Sequence, residues 1–361
     1  MSDFDVQIFT EQIKTNCDIS DALFWGYYSI CGLLMRYREL FRNEHSLMPW
    51  DPVPQTAIAN WIAKKEHLWQ ELEHEPFKTI VIKGDRCNLF DVKKINSLIE
   101  KDALAYGAGY GAYMKPSFFL GKLIRKQKRE NHHVYFLGKE YVRDLSAYPA
   151  LLQDDLIFAR KDVLLTIIWN KFEEMKTGRS AKSLAFAFSR YDISAEEPVS
   201  QDSYHRIIRI TEEELETYVH HELGEASEGR RLGPEWKMLL SGITSRKIEL
   251  LLRAVKDVLS DMSEKGMIRY IMENDKKASI GLYIAFLEGF RKLLSAEMVH
   301  AFEEFTESLD WSVINTARAS CLAKTDLIAS RVLDTFASHK NKATFQDVLE
   351  SELQSLVPFR L

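Results

Sequence analysis

The chain has 361 residues, with 48 basic and 53 acidic side chains, a formal net charge of −5 and 46% hydrophobic residues. This composition is typical of a folded globular protein, and the length exceeds the roughly 250–300 residues that one hydrophobic core usually supports. Two domains are therefore expected. The small negative charge gives no long-range positive field, so neither a nucleic-acid partner nor an anionic membrane partner is predicted.

The four cysteines are far apart in the sequence and form no CxxC pair: Cys17, Cys31, Cys87 and Cys321. This usage predicts neither a zinc cage nor a disulfide framework, and it favours a reducing compartment. The N-terminal segment has acidic residues where a secretory signal needs basic ones, and the longest apolar run, 22–35, is shorter than the about 20 residues of a spanning helix. We therefore predict a cytoplasmic protein without a membrane segment.

The first half of the chain begins with helical patterns. Asp18 or Ser20 is a possible N-cap for a long helix that reaches about Asn43. Pro54 opens a second helix, in which the residues from Trp61 to Trp69 repeat at the i, i+3, i+4 spacing of one buried face.

Short strands follow these helices. Three β-branched or aromatic runs are predicted as strands of a small sheet: 78–83, 133–138 and 156–160. Further helices are expected from about Asp91, from Ser117 and over 162–175. The first half is therefore predicted to be an α+β domain.

A change of composition marks the predicted domain boundary. The segment 192–203 loses its periodicity and gains Glu, Pro and Ser, which is typical of an exposed linker. A possible strand at 206–210 follows, and then only helical patterns. The expected fold is mainly α: a helical domain with a small β-sheet over 1–191, the linker, and an all-α helical-bundle domain over 204–361.

Several segments together resemble a known family. They are YYSICGLLMRYRELFRNE from Tyr27, IANWIAKKEHLW from Ile58, YGAGYGAYMKPSFFLG from Tyr106, IFARKDVLLTIIWNKFEE from Ile157 and HHELGEA from His220. Their order across most of the chain resembles an uncharacterised bacterial family of about this length. The resemblance implies no activity and no catalytic residues, because none is assigned to that family.

The segment 211–226 has the strongest local signal. Thr211 and Glu214 match a capping box at the start of a helix, and Glu222 then falls within the apolar face of that helix. An unpaired buried charge costs several kcal/mol, so Glu222 must be protonated, paired or bound to a metal. His221 and Glu225 lie on the same turn, which gives a candidate site for a divalent metal. The second histidine of the HExxH motif is replaced by Glu225, which argues against a zinc protease.

One candidate partner for the buried carboxylate lies on a later helix. A long helix is predicted over about 279–305, with Arg291 in the middle of its apolar stripe. Arg291 either forms a buried pair with Glu222 or extends its guanidinium to a domain edge. A separate set of charges, Arg253, Asp257 and Asp261, is spaced by four residues on the polar side of another predicted helix, and this spacing alone needs no function.

The N-terminal half has misplaced cations as well. Arg38, Arg42 and His45 continue the apolar seam of the first long helix, and Lys65 lies in the middle of the buried face of the next one. These side chains are a candidate binding site for a small anionic ligand. The alternative is that they pair with neighbouring glutamates, for which the candidates are Glu39, Glu44 and Glu66.

Two further stretches have simple interpretations. The glycines at 107, 109 and 111 follow a predicted helix rather than a strand, so they predict a flexible turn and not a phosphate-binding loop. The five basic residues between Lys122 and Arg129 are expected to surround a short helix as a solvated surface.

The sequence therefore leaves two classes of function open. The first, which the sequence favours, is a non-catalytic or regulatory protein that binds a small anionic ligand or a protein partner, with Arg38, Arg42, His45, Lys65 and Arg291 as candidate binding residues. The second is a metal-dependent enzyme that uses His221, Glu222 and Glu225. Metal analysis of untagged protein discriminates between them.

Overall fold

The computed structural model describes residues 4–178, 182–340, 342 and 344–357. The chain forms two compact units that divide between Asn170 and Lys171. The fold is mainly helical, with strands between residues 80 and 160 and a helical region after them, which confirms the expected fold class. The segment 192–203 is a largely irregular connection inside the second unit, whereas the compact units divide about twenty residues earlier.

Five α-helices are described in the first unit or across its end: α1 Val6–Phe24, α2 Ile30–Glu44, α3 Gln55–Leu72, α4 Val92–Ile99 and α5 Lys161–Lys176. The long helix expected from Asp18 or Ser20 is wrong, because both residues are buried within α1. The side chain of Ser29 accepts a hydrogen bond from the amide of Gly32 and starts α2 as a separate helix. Pro54 precedes α3 as expected.

The described strands of the first unit form two sheets: β1 Ile80–Ile82, β2 Asp85–Cys87, β3 Leu104–Tyr110, β4 Pro116–Arg129, β5 His132–Arg143, β6 Ala150–Gln153 and β7 Leu156–Arg160. β1 and β2 form an antiparallel pair, and the other five strands form a sheet of order β3-β4-β5-β7-β6. Only β5 and β7 pair in parallel within this sheet. The three strands expected from the sequence correspond to β1, β5 and β7.

Two expectations for the glycine-rich region are wrong. Its glycines lie on β3 or directly after it rather than in a turn that follows a helix, and the segment from Ser117 is β4 rather than a helix. Gly107 is opposite Phe119, and a Cβ at this position would lie 2.0 Å from the ring. The glycine is therefore needed to fit the Phe119 side chain against β3.

The second unit contains nine described helices: α6 Lys182–Ser189, α7 Gln201–Gly242, α8 Arg246–Met262, α9 Met267–Glu273, α10 Lys277–Ala285, α11 Gly289–Leu294, α12 Ala296–Ser308, α13 Trp311–His339 and α14 Phe345–Leu356. They pack around one continuous apolar core. Residues 206–210 belong to α7, so the possible strand there is wrong. Within the described residues, no helix combines the length and apolar character that crossing a bilayer requires.

Two helix boundaries differ from those expected. The capping box is formed by Ser200 and Ser203, eleven residues before Thr211, whose hydroxyl donates to the carbonyl of Ile207 inside α7. The single helix expected over 279–305 is divided into α10, α11 and α12. Gly289, with φ of 52°, begins the second of these helices, and Ser295 separates the second from the third. These breaks redirect the chain around Arg291.

Candidate functional site

Three potential metal ligands lie on one turn of α7. His221, Glu222 and Glu225 each have a ligand atom within 4.8 Å of those of the other two. Glu222 is buried, with 4% of its surface exposed, whereas His221 and Glu225 are partly exposed. Glu225 is close to both other residues because side chains three and four positions apart share one face of a helix. We call these three residues the His–Glu cluster.

An aspartate from α8 orients the histidine of this cluster. The Nδ1 atom of His221 lies 2.6 Å from Oδ1 of Asp261, and the other oxygen of Asp261 accepts a hydrogen bond of 2.8 Å from Arg291. Asp261 has no exposed surface. Because Nδ1 is held by the carboxylate, Nε2 is the imidazole nitrogen that can serve a ligand. A carboxylate that orients a histidine in this way is the usual second partner of a metal-binding imidazole.

Lys256 on α8 supplies a cation to the other side of the cluster. Its ammonium group donates a hydrogen bond to the carboxylate of Glu225. Asp257 follows in the sequence, and its pKa is raised by burial, against the opposing effect of Arg291 and His221. The cluster is therefore surrounded by both signs of charge, and each contact comes from a side chain of α7, α8 or α11.

The two glutamates of the cluster titrate differently. Burial, together with the neighbouring carboxylate of Glu225, raises the pKa of Glu222 to about 8. Burial would also raise the pKa of Glu225, but Lys256 and His221 lower it below its usual value. At neutral pH the pair therefore holds one proton and one negative charge. Pairs of carboxyl groups whose pKa values are separated in this way are frequent in active sites, but structural networks also produce them.

The histidine is stabilised as a cation. Burial opposes the charged form of His221, but the contact with Asp261 raises its pKa to about 10. The pKa of Asp261 is lowered because His221 and Arg291 outweigh the effect of its burial. The charges thus alternate from Arg291 through Asp261 to His221.

A close helix crossing brings these residues together. Gly224 lies on α7 beside the last turn of α8, and a Cβ at this position would lie 2.3 Å from the carbonyl oxygen of Ser260. Gly266, at the start of α9, approaches the same carbonyl as closely. Only glycine allows such a short backbone distance. Because Gly224 is between Glu222 and Glu225, and Ser260 precedes Asp261, this crossing determines the position of the cluster relative to its partner.

The structure changes the expected role of Arg291. This residue pairs with Asp261 rather than with Glu222, and 30% of its side chain is exposed. The expected Glu222–Arg291 pair is therefore wrong. The physical reason is the break between α10 and α11, which places Arg291 on a short helix packed against α8. The partner of Arg291 is thus the residue that also holds His221.

The candidate anion-binding residues of the first unit have different partners from one another. Lys65 is buried, and its ammonium group lies 2.6 Å from Asp18 and 2.7 Å from Glu44. Arg38 is exposed, and Arg42 lies 3.4 Å from the carbonyl oxygen of Asp51. His45 stacks on Phe41 and faces its carbonyl group. For Lys65, the structure therefore agrees with the alternative of pairing with glutamate.

A second group of buried charges in the first unit combines one lysine with two aspartates that accept hydrogen bonds from the backbone. Lys115 lies 3.0 Å from Asp21 and 3.6 Å from Asp144. Asp21 accepts from the amide of Leu145, and Asp144 accepts from the amides of Phe118 and Ser146. Burial raises the pKa of Asp21 to about 7, although Lys115 opposes this shift. These carboxyl groups connect α1 to the sheet.

Comparison with known proteins places both units in one family. The model of the family of unknown function (DUF6866) N-terminal domain matches residues 8–160, and the corresponding C-terminal domain model matches residues 165–354. The chain belongs to the DUF6866 family. No curated protein and no solved structure matches it. The resemblance to an uncharacterised family is thereby confirmed.

The family assignment also locates the site. The DUF6866 C-terminal domain contains the His–Glu cluster together with Asp261 and Arg291. The N-terminal domain contains Lys65 and its two carboxylate partners. The segment 192–203 falls inside the C-terminal domain. The two domain models meet near residues 160–165, close to the division between the compact units.

Sequence reasoning missed two residues of this site. Asp261 was expected on the polar side of its helix, but it is fully buried, because Val258, Leu259 and Met262 around it are buried as well. The sequence predicted no role for Lys256, although its ammonium group donates a hydrogen bond to Glu225. The available signal was the i, i+4 spacing of Asp257 and Asp261 at the end of an apolar helix.

Proposed function

We propose that the second unit binds a divalent transition-metal ion at His221, Glu222 and Glu225. The observation that carries the proposal is the convergence of one imidazole and two carboxylates within 4.8 Å on a single turn, with Asp261 orienting the imidazole. Donor atoms around a metal with bonds of about 2.0–2.2 Å are roughly 3–4 Å apart, so small side-chain rotations close the remaining gap. A set of one nitrogen and two oxygen donors suits zinc, manganese or ferrous iron.

The electrostatics support the same proposal. The buried carboxyl group of Glu222 and the partly exposed one of Glu225 are neighbours and need a shared cation, and in the absence of a metal this need is met by a proton on Glu222 and by the ammonium group of Lys256. A divalent ion can replace both. Metal binding then requires the loss of the proton on Glu222 and of the proton on Nε2 of His221.

The ligand set points to a catalytic rather than a purely structural metal. Three protein ligands leave at least one coordination position for water or a substrate, and such a metal acts as a Lewis acid and activates bound water. Arg291, which is partly exposed and adjacent to Asp261, is suited to an anionic group of a substrate. We therefore favour a metal-dependent enzyme over a purely regulatory binding protein.

Metal analysis of untagged protein tests this proposal. The wild-type chain should contain close to one transition-metal ion per molecule after dialysis against metal-supplemented and then metal-free buffer, as measured by plasma mass spectrometry. His221→Ala should lose the metal. His220→Ala is the matched control, because His220 is the neighbouring residue and stacks on Tyr270 outside the cluster. Equal metal contents in wild type and His221→Ala would overturn the proposal.

Binding of a small anionic ligand or a protein partner by the first unit stays a prediction. If Arg38, Arg42, His45 and Lys65 bind such a ligand, millimolar phosphate or citrate should raise the melting temperature, since a ligand specific to the native state stabilises it. We also propose a cytoplasmic location in a bacterium, which is consistent with the four free cysteines.

A further inference from the structure

Strand β4 of the large sheet extends beyond its neighbour β3. β3 pairs with β4 only as far as Leu104 and Lys122, and the amide of Leu123 makes one more bond, of 2.8 Å, to the carbonyl of Ala103. A bulge at residue 124 is followed by pairing with β5 over residues 125–129 on one side, and no described strand lies beside residues 124–129 on the other. We call residues 124–129 the β4 edge.

The β4 edge is strongly basic on both faces. Its regular pairing with β5 from Arg125 onward places Arg125 and Arg129 on one face and Lys126 and Lys128 on the opposite face. All four side chains are exposed, and so is Lys122 just before the edge. The sequence was expected to form a solvated helix here, but the strand arranges the same cations along the edge of the sheet.

Two of these cations are held in position by aromatic rings of β5. The guanidinium group of Arg125 lies 3.7 Å from the centre of the Phe136 ring, and the ammonium group of Lys126 lies 4.9 Å from that of Tyr135. Lys126 also lies 3.1 Å from Glu100. Side chains that are fixed before binding lose less conformational entropy when a partner arrives.

We propose that the β4 edge binds an extended acidic segment of a partner protein as an added β-strand. A strand edge offers main-chain hydrogen bonds to an incoming peptide, and the side chains on either side of the edge select its sequence. An added strand would place alternate side chains on opposite faces, and both faces of the β4 edge carry cations. The partner segment is therefore a run of consecutive acidic residues rather than an alternating acidic and apolar pattern.

Two other roles for the β4 edge, protection against aggregation and binding of nucleic acid, explain fewer of its features. Lysines on an exposed strand protect against edge-to-edge aggregation, but this protection does not require cations fixed on aromatic rings on both faces. Single-stranded nucleic acid usually stacks its bases on exposed aromatic side chains. Here Phe136 and Tyr135 are buried, with 2% and 4% of their surfaces exposed, so they provide no such platform.

Fluorescence anisotropy with the full-length protein tests the proposal. The probe is a fluorescein-labelled peptide of twelve residues with six consecutive glutamates flanked by valine and threonine. A second peptide has the same sequence with an N-methyl group on every residue of the glutamate run. It retains the charge, but neither of its edges can donate main-chain hydrogen bonds to a sheet. We expect the first peptide to bind at least about tenfold more tightly than the methylated peptide, because the latter loses these main-chain hydrogen bonds.

Charge-reversal variants locate the binding surface. Lys122→Glu combined with Lys128→Glu should weaken binding of the acidic peptide at least about tenfold. Lys64→Glu combined with Lys237→Glu changes the net charge equally at exposed positions elsewhere and should leave binding within about twofold. Hydrogen exchange should show new protection of the amides of residues 124–129 when the peptide is bound.

Three results would overturn the proposal. They are equal affinity for the plain and methylated peptides, equal weakening by the two double variants, and tighter binding of a single-stranded oligonucleotide than of the acidic peptide under the same salt conditions. The first would reduce the interaction to non-specific electrostatics, the second would place it elsewhere, and the third would make the edge a nucleic-acid surface. None of these results depends on the metal content of the second unit.

Discussion

Each unit buries a carboxyl group whose pKa lies near neutrality, but the two groups have different surroundings. Asp21 in the first unit has a pKa of about 7, and Glu222 in the second has a pKa of about 8. Asp21 accepts hydrogen bonds from the amide of Leu145 and lies beside Lys115, whereas Glu222 faces another carboxylate and a histidine. A raised pKa alone therefore does not identify a functional site. The difference is that the partners of Asp21 hold the backbone together, and those of Glu222 are potential metal ligands.

The largest effect on the free energy of unfolding should come from breaking a buried ion pair in the first unit. Arg160 and Glu140 are both buried and form two hydrogen bonds, of 2.5 and 3.0 Å. Glu140→Ala leaves the guanidinium group without its carboxylate, and should lower the free energy of unfolding by about 3–5 kcal/mol in urea denaturation. Replacing both residues by methionine should cost much less. If the single and double variants are equally unstable, the loss of stability does not come from an unpaired buried guanidinium group.

The next effect concerns the crossing of α7 and α8. Gly224→Ala would place a Cβ 2.3 Å from the carbonyl oxygen of Ser260, so the helices must move apart. We expect a loss of about 1–3 kcal/mol in the free energy of unfolding, and weaker metal binding because His221 and Asp261 separate. Gly242→Ala is a suitable control, since no atom lies within 4 Å of a Cβ there. Similar behaviour of both variants would show that the crossing does not position the cluster.

A pH effect should distinguish Asp21 from ordinary aspartates. Its pKa of about 7 in the folded protein exceeds the usual 3.8, so between pH 4 and 7 the native state retains a proton that the unfolded chain loses. The contribution of Asp21 to stability is therefore present at low pH and lost as the pH rises to 7. Relative to Asp21→Asn, the wild type should lose unfolding free energy over this interval and run parallel above pH 8. Parallel curves from pH 4 to 7 would contradict the raised pKa.

The smallest stability effect should occur at Glu222 itself. With a pKa of about 8, this side chain is mostly neutral at pH 7, and glutamine has nearly the same shape. Glu222→Gln should change the free energy of unfolding of metal-free protein by less than about 1.5 kcal/mol while it greatly weakens metal binding. A loss of several kcal/mol in the metal-free variant would instead show that Glu222, like Asp21, has a role in holding the fold together.

The sequence predicts much of the architecture, because long-range contacts rarely reverse a strong periodic pattern. The helical second unit, α3 and the strands β1, β5 and β7 follow from such patterns. β4 does not, because residues 116–121 are all buried and show no alternation. A strand covered on both faces resembles a buried helix in sequence.

The candidate site was predictable in part. Glu222 interrupts the apolar face of α7, and this local conflict is visible in the sequence. Its surroundings depend on tertiary contacts. Asp261 is at the end of α8, where other helices cover every side, and the breaks around α11 turn Arg291 towards it. Neither the crossing angle nor the breaks can be derived from helical periodicity.

Calorimetric titration of metal-free protein with zinc at pH 7, in two buffers of different ionisation enthalpy, tests the central claim most directly. The account predicts one site per chain, with release of about two protons, from Glu222 and His221. His221→Ala should abolish this binding, whereas His220→Ala should retain it. Saturable binding that is unchanged in His221→Ala, or no binding by the wild type, would contradict the assignment of the His–Glu cluster as a metal site.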